Sequence, residues 1–278
     1  MKLKLRKKPF IYIIIFILII LMGNKLYNKY LKNNDNQKIS QNPYTKYNYY
    51  IKNNQTRYEI YKNETNYSDD KVVLFVNIGL DKNFYEDAKN ANNLNTTYVL
   101  VNKYNYLQDD YVPSNLVKLT DFSKGGIYLN SEAYEAFKKM ATDALIEDLN
   151  IRIISAYRSY DYQQNLYNNY LKKYSKEEVD SFSARAGYSE HQTGLAVDID
   201  NNKLSYTNFD KTKEYVWMQE NCYKYGFIRR YTKENEEITG YVNEPWHYRY
   251  VGLEISKYMH DNNITTYEEY YYKFINNK

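Results

Sequence analysis

The scarcity of histidine, and the neighbours of two of the three histidines, constrain this 278-residue chain more than any other feature. His191 lies in the segment Ser-Glu-His-Gln-Thr-Gly-Leu-Ala-Val-Asp, which ends at Asp198, and His247 ends the segment Glu-Pro-Trp-His. After Gly194, apolar Leu, Val and Ile alternate with Ala and Asp, and this two-residue period predicts a strand. Such a strand would bury its apolar side chains and present Asp198 to a cleft.

The spacing of these residues makes them candidate metal ligands. His191 precedes Asp198 across a turn at Gly194, near enough for both to reach one ion if the turn folds back. Neutral imidazole and carboxylate oxygen suit Zn²⁺, and His247 as a third protein ligand would leave a fourth position for water. Spacing alone leaves a second interpretation open, because a His, an Asp and a distant His are often ordinary hydrogen-bonding residues.

Glu244 stands three residues before His247, so in a turn or helical register the two side chains could point the same way. They would supply a base beside a ligand, although the pattern is weaker than the His-Glu-x-x-His helix signature. His260, near the C-terminus, has no metal-like neighbours, and we predict a surface position for it. The single cysteine, Cys222, cannot form an intramolecular disulfide, and its apolar helix face favours a core residue over a nucleophile.

A separate segment offers an arginine and a glutamine. Ser155-Ala-Tyr-Arg158 ends an Ile-rich predicted strand, where a side chain could enter the same cleft. The planar guanidinium of Arg158 could bind a substrate carboxylate through two hydrogen bonds or stabilise a developing oxyanion. Gln163, near the start of the next predicted helix, could offer its amide to the same ligand. The alternatives are a surface ion pair for Arg158 and simple exposure for Gln163.

The N-terminus predicts export. Five basic residues between positions 2 and 8 precede an apolar run from Phe10 to Met22. As a helix this run would span roughly 20 Å, which is short of a bilayer core and typical of a signal segment. No small-x-small cleavage site follows, so a single-pass anchor in the cytoplasmic membrane through residues 10–22 and a removed signal peptide both stay open. Either one places the rest of the chain outside the membrane.

Composition and periodicity divide the chain into a signal or signal-anchor segment (1–23), a polar tether (24–70), a small accessory segment (71–122) and a main domain (123–278). Two apolar runs of the accessory segment, at 72–76 and 98–101, are typical of buried strands. In the main domain, periodicity predicts a strand at 151–154 and helices from Ser131, from Ser159 to Tyr174 and from Thr212 to Tyr225. A net charge of +4, with basic and acidic residues nearly balanced and the only dense basic run at the start of the chain, argues against nucleic-acid binding.

Three motifs, in this order, resemble those of a known family. The chain carries Ser-x-x-Arg followed by Gln, then Ser-x-His-x-x-Gly-x-x-x-Asp, then Glu-x-x-His, at Ser155 to Gln163, Ser189 to Asp198 and Glu244 to His247. In residue pattern and order they resemble the motifs of the zinc D-alanyl-D-alanine carboxypeptidases of the VanY type, and of the related VanX dipeptidases and LdcB L,D-carboxypeptidases. The resemblance covers roughly residues 123 to 255.

Carried over residue by residue, the resemblance implies a complete zinc peptidase site. It implies metal ligands His191, Asp198 and His247, a general base at Glu244, a catalytic and substrate contact at Arg158, and substrate contacts at Gln163 and Ser189. The implied fold is α+β, with a small, mainly antiparallel sheet and flanking helices similar to the hedgehog/DD-peptidase fold. The implied cofactor is Zn²⁺, and the implied substrates are peptidoglycan stem peptides.

The resemblance leaves the cleaved bond open. A D,D-carboxypeptidase removes the last D-Ala of a pentapeptide stem, an L,D-carboxypeptidase cuts after the third stem residue, and an endopeptidase cuts within stems or cross-bridges. A non-catalytic wall-binding module that keeps the metal for structure is a further alternative, against which the intact Glu244 argues.

Overall fold

The computed structural model describes residues 20–29, 31–32 and 42–276, and the chain divides into two compact units, 1–50 and 51–278. In the first unit, residues 20–29 and 31–32 are helical, and residues 42–50 form successive turns. Most of the predicted apolar segment, residues 10–19, lies outside the described residues. Where the structure describes the chain, no helix combines the length and the apolar character needed to cross a membrane.

The second unit begins with two packed helices, α1 (Gln55–Glu64) and α2 (Asp69–Ile78). Tyr58 of α1 is fully buried, and its hydroxyl donates a hydrogen bond to Asn77 of α2 at 2.6 Å. The prediction of a polar tether over 24–70 is therefore wrong for its last part. The sparse apolar residues of this part concealed a helix that is stabilised by its neighbour rather than by its own apolar face.

α2 also replaces the strand predicted at 72–76. All its residues from Val72 onward are buried, and a short, wholly apolar run does not distinguish a strand from a buried helix. The ends of the run carry the helix signals. Ser68 accepts a hydrogen bond from the Lys71 amide at the N-terminus, and Gly79 ends the helix with φ of 110°.

The segment that follows contains two small pairs of strands and no strand at 98–101. β1 (Lys89–Asn90) and β2 (Asn105–Tyr106) are parallel, and β3 (Leu116–Lys118) and β4 (Tyr128–Asn130) are antiparallel. Val99 and Val101 are buried, as predicted, but they belong to the main core and their segment is irregular. One reason is that the Val99 carbonyl accepts a hydrogen bond from the Arg249 side chain at 2.7 Å instead of from a neighbouring strand.

The main sheet has four antiparallel strands in the order β5-β6-β8-β7. These strands are β5 (Arg152–Ser155), β6 (Ala196–Asp200), β7 (Phe227–Arg229) and β8 (His247–Tyr250). The remaining helices are α3 (Ser131–Ile146), α4 (Tyr160–Leu171), α5 (Lys176–Phe182), α6 (Lys213–Asn221), α7 (Glu236–Thr239), α8 (Leu253–Asp261) and α9 (Tyr267–Tyr270), which continues as a π turn over Tyr271–Ile275.

One core joins the sheet to α3. The apolar stripe of this helix, including Phe137 and Met140, packs in the same buried cluster as Val197 and Ile199 of β6. Asn130 accepts hydrogen bonds from two amides of the first turn and so fixes where α3 begins. Burying these side chains leaves the polar face of β6 for a cleft. The mixed fold with a small antiparallel sheet and flanking helices, as the sequence predicted, is confirmed.

Candidate active site

The seven site residues predicted from sequence all line one cleft of about 760 Å³. They are Arg158, Gln163, Ser189, His191, Asp198, Glu244 and His247. They come from five separate stretches of chain: the segment after β5, helix α4, the turn before β6, strand β6 itself, and the segment that runs from Glu244 into the first residue of β8. The topology of the sheet therefore brings together residues that are up to 89 positions apart in the chain.

A tight turn places His191 beside Asp198. His191 lies in a 3₁₀ turn, Glu190–Thr193, which ends at Gly194 with φ of 68°. A side chain at Gly194 would be strained at this φ, and its Cβ would lie 2.7 Å from the side chain of Leu116. The turn leads directly into β6, so Nε2 of His191 lies 3.3 Å from Oδ1 of Asp198.

His247, the first residue of β8, completes the group. It pairs directly with Asp198 in the β6–β8 ladder, and its Nδ1 lies 3.2 Å from the same Asp198 oxygen. The two imidazole rings meet edge to face, with centroids 5.0 Å apart. One ligand atom from each of the three residues lies within 4.8 Å of the others.

In each histidine, the ring nitrogen that does not face Asp198 contacts a different acceptor. Nδ1 of His191 lies 2.6 Å from the Ala156 carbonyl, and Nε2 of His247 lies 3.2 Å from Oε2 of Glu190. Nε2 of His191 is buried and forms no hydrogen bond in the described part of the chain, although Oδ1 of Asp198 lies 3.3 Å away. A set of two imidazole nitrogens and one carboxylate oxygen fits a Zn²⁺ ion. One of these nitrogens, Nε2 of His191, is the buried atom that forms no hydrogen bond with a described residue. His191, Asp198 and His247 are thus the residues that could hold it.

Burial and neighbouring charges shift the pKa of each of these groups. Burial, together with the charge of Arg158, lowers the pKa of His191 to about 4. Burial opposes the charged form of His247, but hydrogen bonds with Asp198 and Glu190 raise its pKa to about 9. Burial would raise the pKa of Asp198, yet the adjacent His191 and His247 hold it well below its usual range.

Glu190 is a site residue that the sequence-based assignment missed. Its side chain is fully buried, and its Oε1 accepts from Arg230 at 2.7 Å and contacts Arg249 at 3.3 Å. Burial alone would raise the pKa of Glu190, but Arg230 and His247 lower it well below its usual range. A carboxylate directly before His191 was the signal in the sequence, but the arginines that make its burial possible are 40 and 59 residues away.

Glu244 lies on the other side of His247. Its Oε2 is 3.6 Å from His247 Nδ1, and its backbone amide donates to the Tyr231 carbonyl at 3.1 Å. Burial raises the pKa of Glu244 to about 7, although the charge of His247 acts to lower it. A carboxylate in this environment can both accept and return a proton near neutral pH.

Arg158 and Gln163 present unused polar atoms to the cleft. Nη2 of Arg158 lies 3.9 Å from Oδ2 of Asp198, and its Nε is buried with no partner among the described residues. Gln163 donates from Nε2 to the Ala184 carbonyl at 2.7 Å, while its Oε1 has no described partner. Ser189, which is also buried, lines the cleft beside them.

Comparison with known proteins agrees with this geometry. Residues 126–253 match the family model of VanY, described as D-alanyl-D-alanine carboxypeptidase. The chain is 38% identical over 208 residues to the putative carboxypeptidase YodJ of Bacillus subtilis (strain 168), an alignment that covers 70% of this chain and 76% of that protein. It is 32% identical over 234 residues to a D-alanyl-D-alanine carboxypeptidase of Enterococcus faecium, covering 76% and 72%. The chain belongs to the VanY family.

Solved structures place this VanY-family chain near two kinds of carboxypeptidase. The LdcB LD-carboxypeptidase is 40% identical with a TM-score of 0.59, covering 63% of this chain and 85% of that one. VanYB in complex with D-alanine-D-alanine is 33% identical with a TM-score of 0.54, covering 63% and 96%. The family resemblance predicted from the three motifs is confirmed, and the chain belongs to a carboxypeptidase family.

Two other predictions about individual residues of the VanY-family chain are confirmed. Cys222 is buried in the main core, and burial raises the pKa of its thiol to about 12, so it is not a poised nucleophile. The side chain of His260 is 48% exposed and stacks on the ring of Tyr223, away from the cleft. Trp246 contributes to the cleft wall, where its ring meets Tyr206 edge to face at 5.0 Å.

Proposed function

We propose that this VanY-family chain is a zinc-dependent D-alanyl-D-alanine carboxypeptidase that removes the terminal D-Ala from peptidoglycan stem peptides. The observation that carries the proposal is the set of His191, Asp198 and His247 ligand atoms within 4.8 Å, with the Glu244 carboxylate beside it. Zn²⁺ held by three protein ligands would supply Lewis acidity and lower the pKa of a water molecule in the open position.

The residues of the chain have distinct roles in this proposal. Glu244 accepts a proton as water attacks the peptide carbonyl, and then returns a proton to the leaving amine of D-Ala. Arg158 holds negative charge that develops on the carbonyl oxygen or is already present on the terminal carboxylate. Gln163 and Ser189 contact the stem peptide from the cleft wall. The E. faecium relative, named a D-alanyl-D-alanine carboxypeptidase, and the VanYB complex with D-alanine-D-alanine support this choice of substrate.

An L,D-carboxypeptidase is the second candidate, because the LdcB LD-carboxypeptidase is 40% identical to the chain. Both activities would use the same metal and base, and both would release D-Ala. They differ in the residue that precedes the cleaved bond, which is D-Ala in a pentapeptide and the third stem residue in a tetrapeptide.

Mass spectrometry of muropeptides incubated with the purified chain tests both candidates. Loss of one D-Ala from pentapeptides, abolished by a chelator and restored by Zn²⁺, is the expected result. Cleavage of tetrapeptides alone would replace the proposal with the L,D activity, and larger fragments would indicate an endopeptidase. Unchanged activity in the presence of the chelator, with the metal shown to be removed, would rule out zinc dependence.

We also propose that the basic and apolar N-terminus delivers the enzyme outside the cytoplasmic membrane, as an anchor through residues 10–22 or as a removed signal. This placement fits the proposed activity, because an exported catalytic domain can reach nascent stem peptides close to the membrane. Protease digestion of intact protoplasts, followed by blotting, tests it. The proposal requires the catalytic domain to be degraded or released to the medium, and protection inside intact protoplasts would contradict it.

A further inference from the structure

One wall of the candidate active-site cleft is aromatic at its far end. Gln163, Leu166 and Tyr170 recur at three- and four-residue spacing on α4, so one face of this helix presents all three to the cleft. Tyr174 also lines the cleft, and its backbone amide donates to the Tyr170 carbonyl at 3.0 Å, which continues the helical spacing past the end of α4. The wall therefore extends from Gln163 along α4 to Tyr174.

Phe182, the last residue of α5, orients the two tyrosine rings. Its ring meets Tyr170 edge to face with centroids 5.1 Å apart, meets Tyr174 in the same way at 5.6 Å, and lines the cleft itself. Such contacts fix the direction in which a ring faces. Tyr174 nevertheless stays 49% exposed. A tyrosine that is oriented by a neighbour but half exposed within a cleft offers a preformed surface to a ligand.

This end of the cleft is uncharged, in contrast to the end beside β5. The lining residues contributed by α4, α5 and residues 183–184 are all uncharged. Lys124, Arg152 and Arg158 also line the cleft, and all three lie on β5 or next to it. A terminal carboxylate is attracted to the cationic side, so the rest of a bound stem peptide would extend in the other direction, along α4.

The length of the aromatic wall then distinguishes peptide from sugar. In the proposed reaction, four stem residues separate the cleaved bond from the sugar to which the stem is attached. Extended residues span at most about 3.3–3.6 Å each, or roughly 14 Å for four. From Gln163 to Tyr174 the helix rises by about 16 Å. A stem that contacts Gln163 near the cleaved bond would therefore end, and its sugar begin, close to Tyr174.

We propose that Tyr170, Tyr174 and Phe182 form a carbohydrate subsite for the amino-sugar ring that carries the stem peptide. A pyranose ring has C–H groups on its faces and polar groups at its edge. One face can pack on an aromatic ring by dispersion while the hydroxyl groups stay in water. This inference rests on the proposed function, and it adds that the preferred substrate is the glycan-linked stem rather than the free peptide.

Two matched substrates test the subsite in the zinc-loaded, full-length chain. One is the disaccharide pentapeptide of N-acetylglucosamine and N-acetylmuramic acid, and the other is the same pentapeptide capped by the lactyl group alone. We expect kcat/KM for D-Ala release to be about 10-fold higher for the first, mainly through a lower KM, because the sugar is remote from the reacting atoms. Equal kcat/KM values would overturn the inference and leave the proposed activity intact, whereas no D-Ala release from either substrate would overturn both.

Substitution tests the position of the subsite. Tyr174→Ala should reduce the preference for the disaccharide substrate by about 3- to 10-fold, which is the size of one aromatic contact. Tyr174→Phe keeps the ring and should keep the preference. Tyr162→Ala is the matched control, because Tyr162 is also an exposed tyrosine of α4 but does not line the cleft. It should show the wild-type preference.

The same kinetic comparison gives the contrary outcomes. A wild-type preference in Tyr174→Ala, or the same reduction in Tyr162→Ala, would overturn the assignment. An equal loss on both substrates in Tyr174→Ala would also overturn it, because the ring would then contact the peptide. Circular dichroism checks the folding of each variant. If Tyr174→Ala does not fold, the two substrates with the unsubstituted chain still decide whether the sugar is bound.

Discussion

Asp198 and His247 are direct partners in the ladder between β6 and β8, and this pairing brings the His247 ring to 3.2 Å from the carboxylate. Successive residues of a strand point to opposite faces, so a shift of one residue between these strands would send one of the two side chains into the core. The site thus depends on strand register as well as on the identity of the residues. The pairing of these strands also indicates which substitutions should weaken the site.

Asp198→Asn should bind zinc far more weakly than the wild type, because the substitution removes a charged ligand atom. The loss should exceed the roughly 10- to 100-fold typical of outer-shell partners. Asp200→Asn is the matched control, since Asp200 lies two residues further on the same strand but pairs with Arg152 at 2.7 Å. Metal analysis after dialysis against a weak chelator measures the difference. Equal zinc retention by the two variants would contradict the ligand assignment.

Glu244→Gln should keep zinc but lose activity. The amide cannot accept and return the proton, and loss of a general base typically reduces the rate by about 10²- to 10⁴-fold. The release of D-Ala from a synthetic pentapeptide measures this change. Glu234→Gln makes the same chemical change at an exposed position outside the cleft and should behave as the wild type. Full activity in Glu244→Gln would show that another group is the base.

Arg158→Lys should lower kcat more than it raises KM. Nη2 of Arg158 is 3.9 Å from a predicted metal ligand, so we expect its charge to act mainly on the oxygen that becomes negative during the reaction. A lysine keeps the charge but not the planar fork of donors. Steady-state kinetics with peptides that have a free or an amidated C-terminus distinguish contact with the developing negative oxygen from contact with the terminal carboxylate. A large rise in KM confined to the free-carboxylate peptide would instead assign Arg158 to the substrate terminus.

Lys103→Met should destabilise the fold, although Lys103 lies outside the cleft. The buried ammonium donates to the carbonyls of Asp180 and Gly240, each at 2.6 Å, and lies 4.3 Å from the centre of the Tyr241 ring. Methionine would fill the space but leave two carbonyls unpaired, at a cost of about 1–3 kcal/mol each. Urea unfolding measures the change, with exposed Lys139→Met as the control. Equal midpoints would contradict this account.

Stability should fall steeply above pH 10. Burial raises the pKa of Tyr61, Tyr167 and Tyr272 to about 12 from 10.0. The unfolded chain therefore releases these protons first, and their contribution to stability is complete below pH 10 and is lost as the pH rises toward 12. Thermal unfolding as a function of pH, followed by tyrosinate absorbance, checks this. A constant melting temperature across that interval would be the contrary result.

The sequence predicted the site better than the N-terminal part of the fold. The two-residue alternation around Asp198 has one structural solution when one face of the strand is buried, so the strand and its cleft residue were predictable. The run Val72–Val76 has two solutions, because all of its residues are buried and no period is visible. The capping Ser68 and the Gly79 terminator carried the missing information.

Glu190 shows a different limit. A glutamate next to a candidate ligand is usually a solvated residue, and only the tertiary structure supplies the two arginines that allow its burial. Those arginines come from β8 and from the residue that follows β7, so no local pattern predicts these ion pairs. Local chemistry predicts what a residue can do, whereas long-range packing determines its surroundings.

The distance along the chain between His191 and His247 gives the site a mechanical meaning. With a single cysteine the protein has no disulfide of its own, but a zinc ion shared by these two residues would cross-link the turn before β6 to the start of β8. A covalent link closing a loop of that length would restrict the unfolded chain by on the order of 4 kcal/mol. The ion would then act as a reversible cross-link. Removing the metal would destabilise the sheet as well as abolish catalysis.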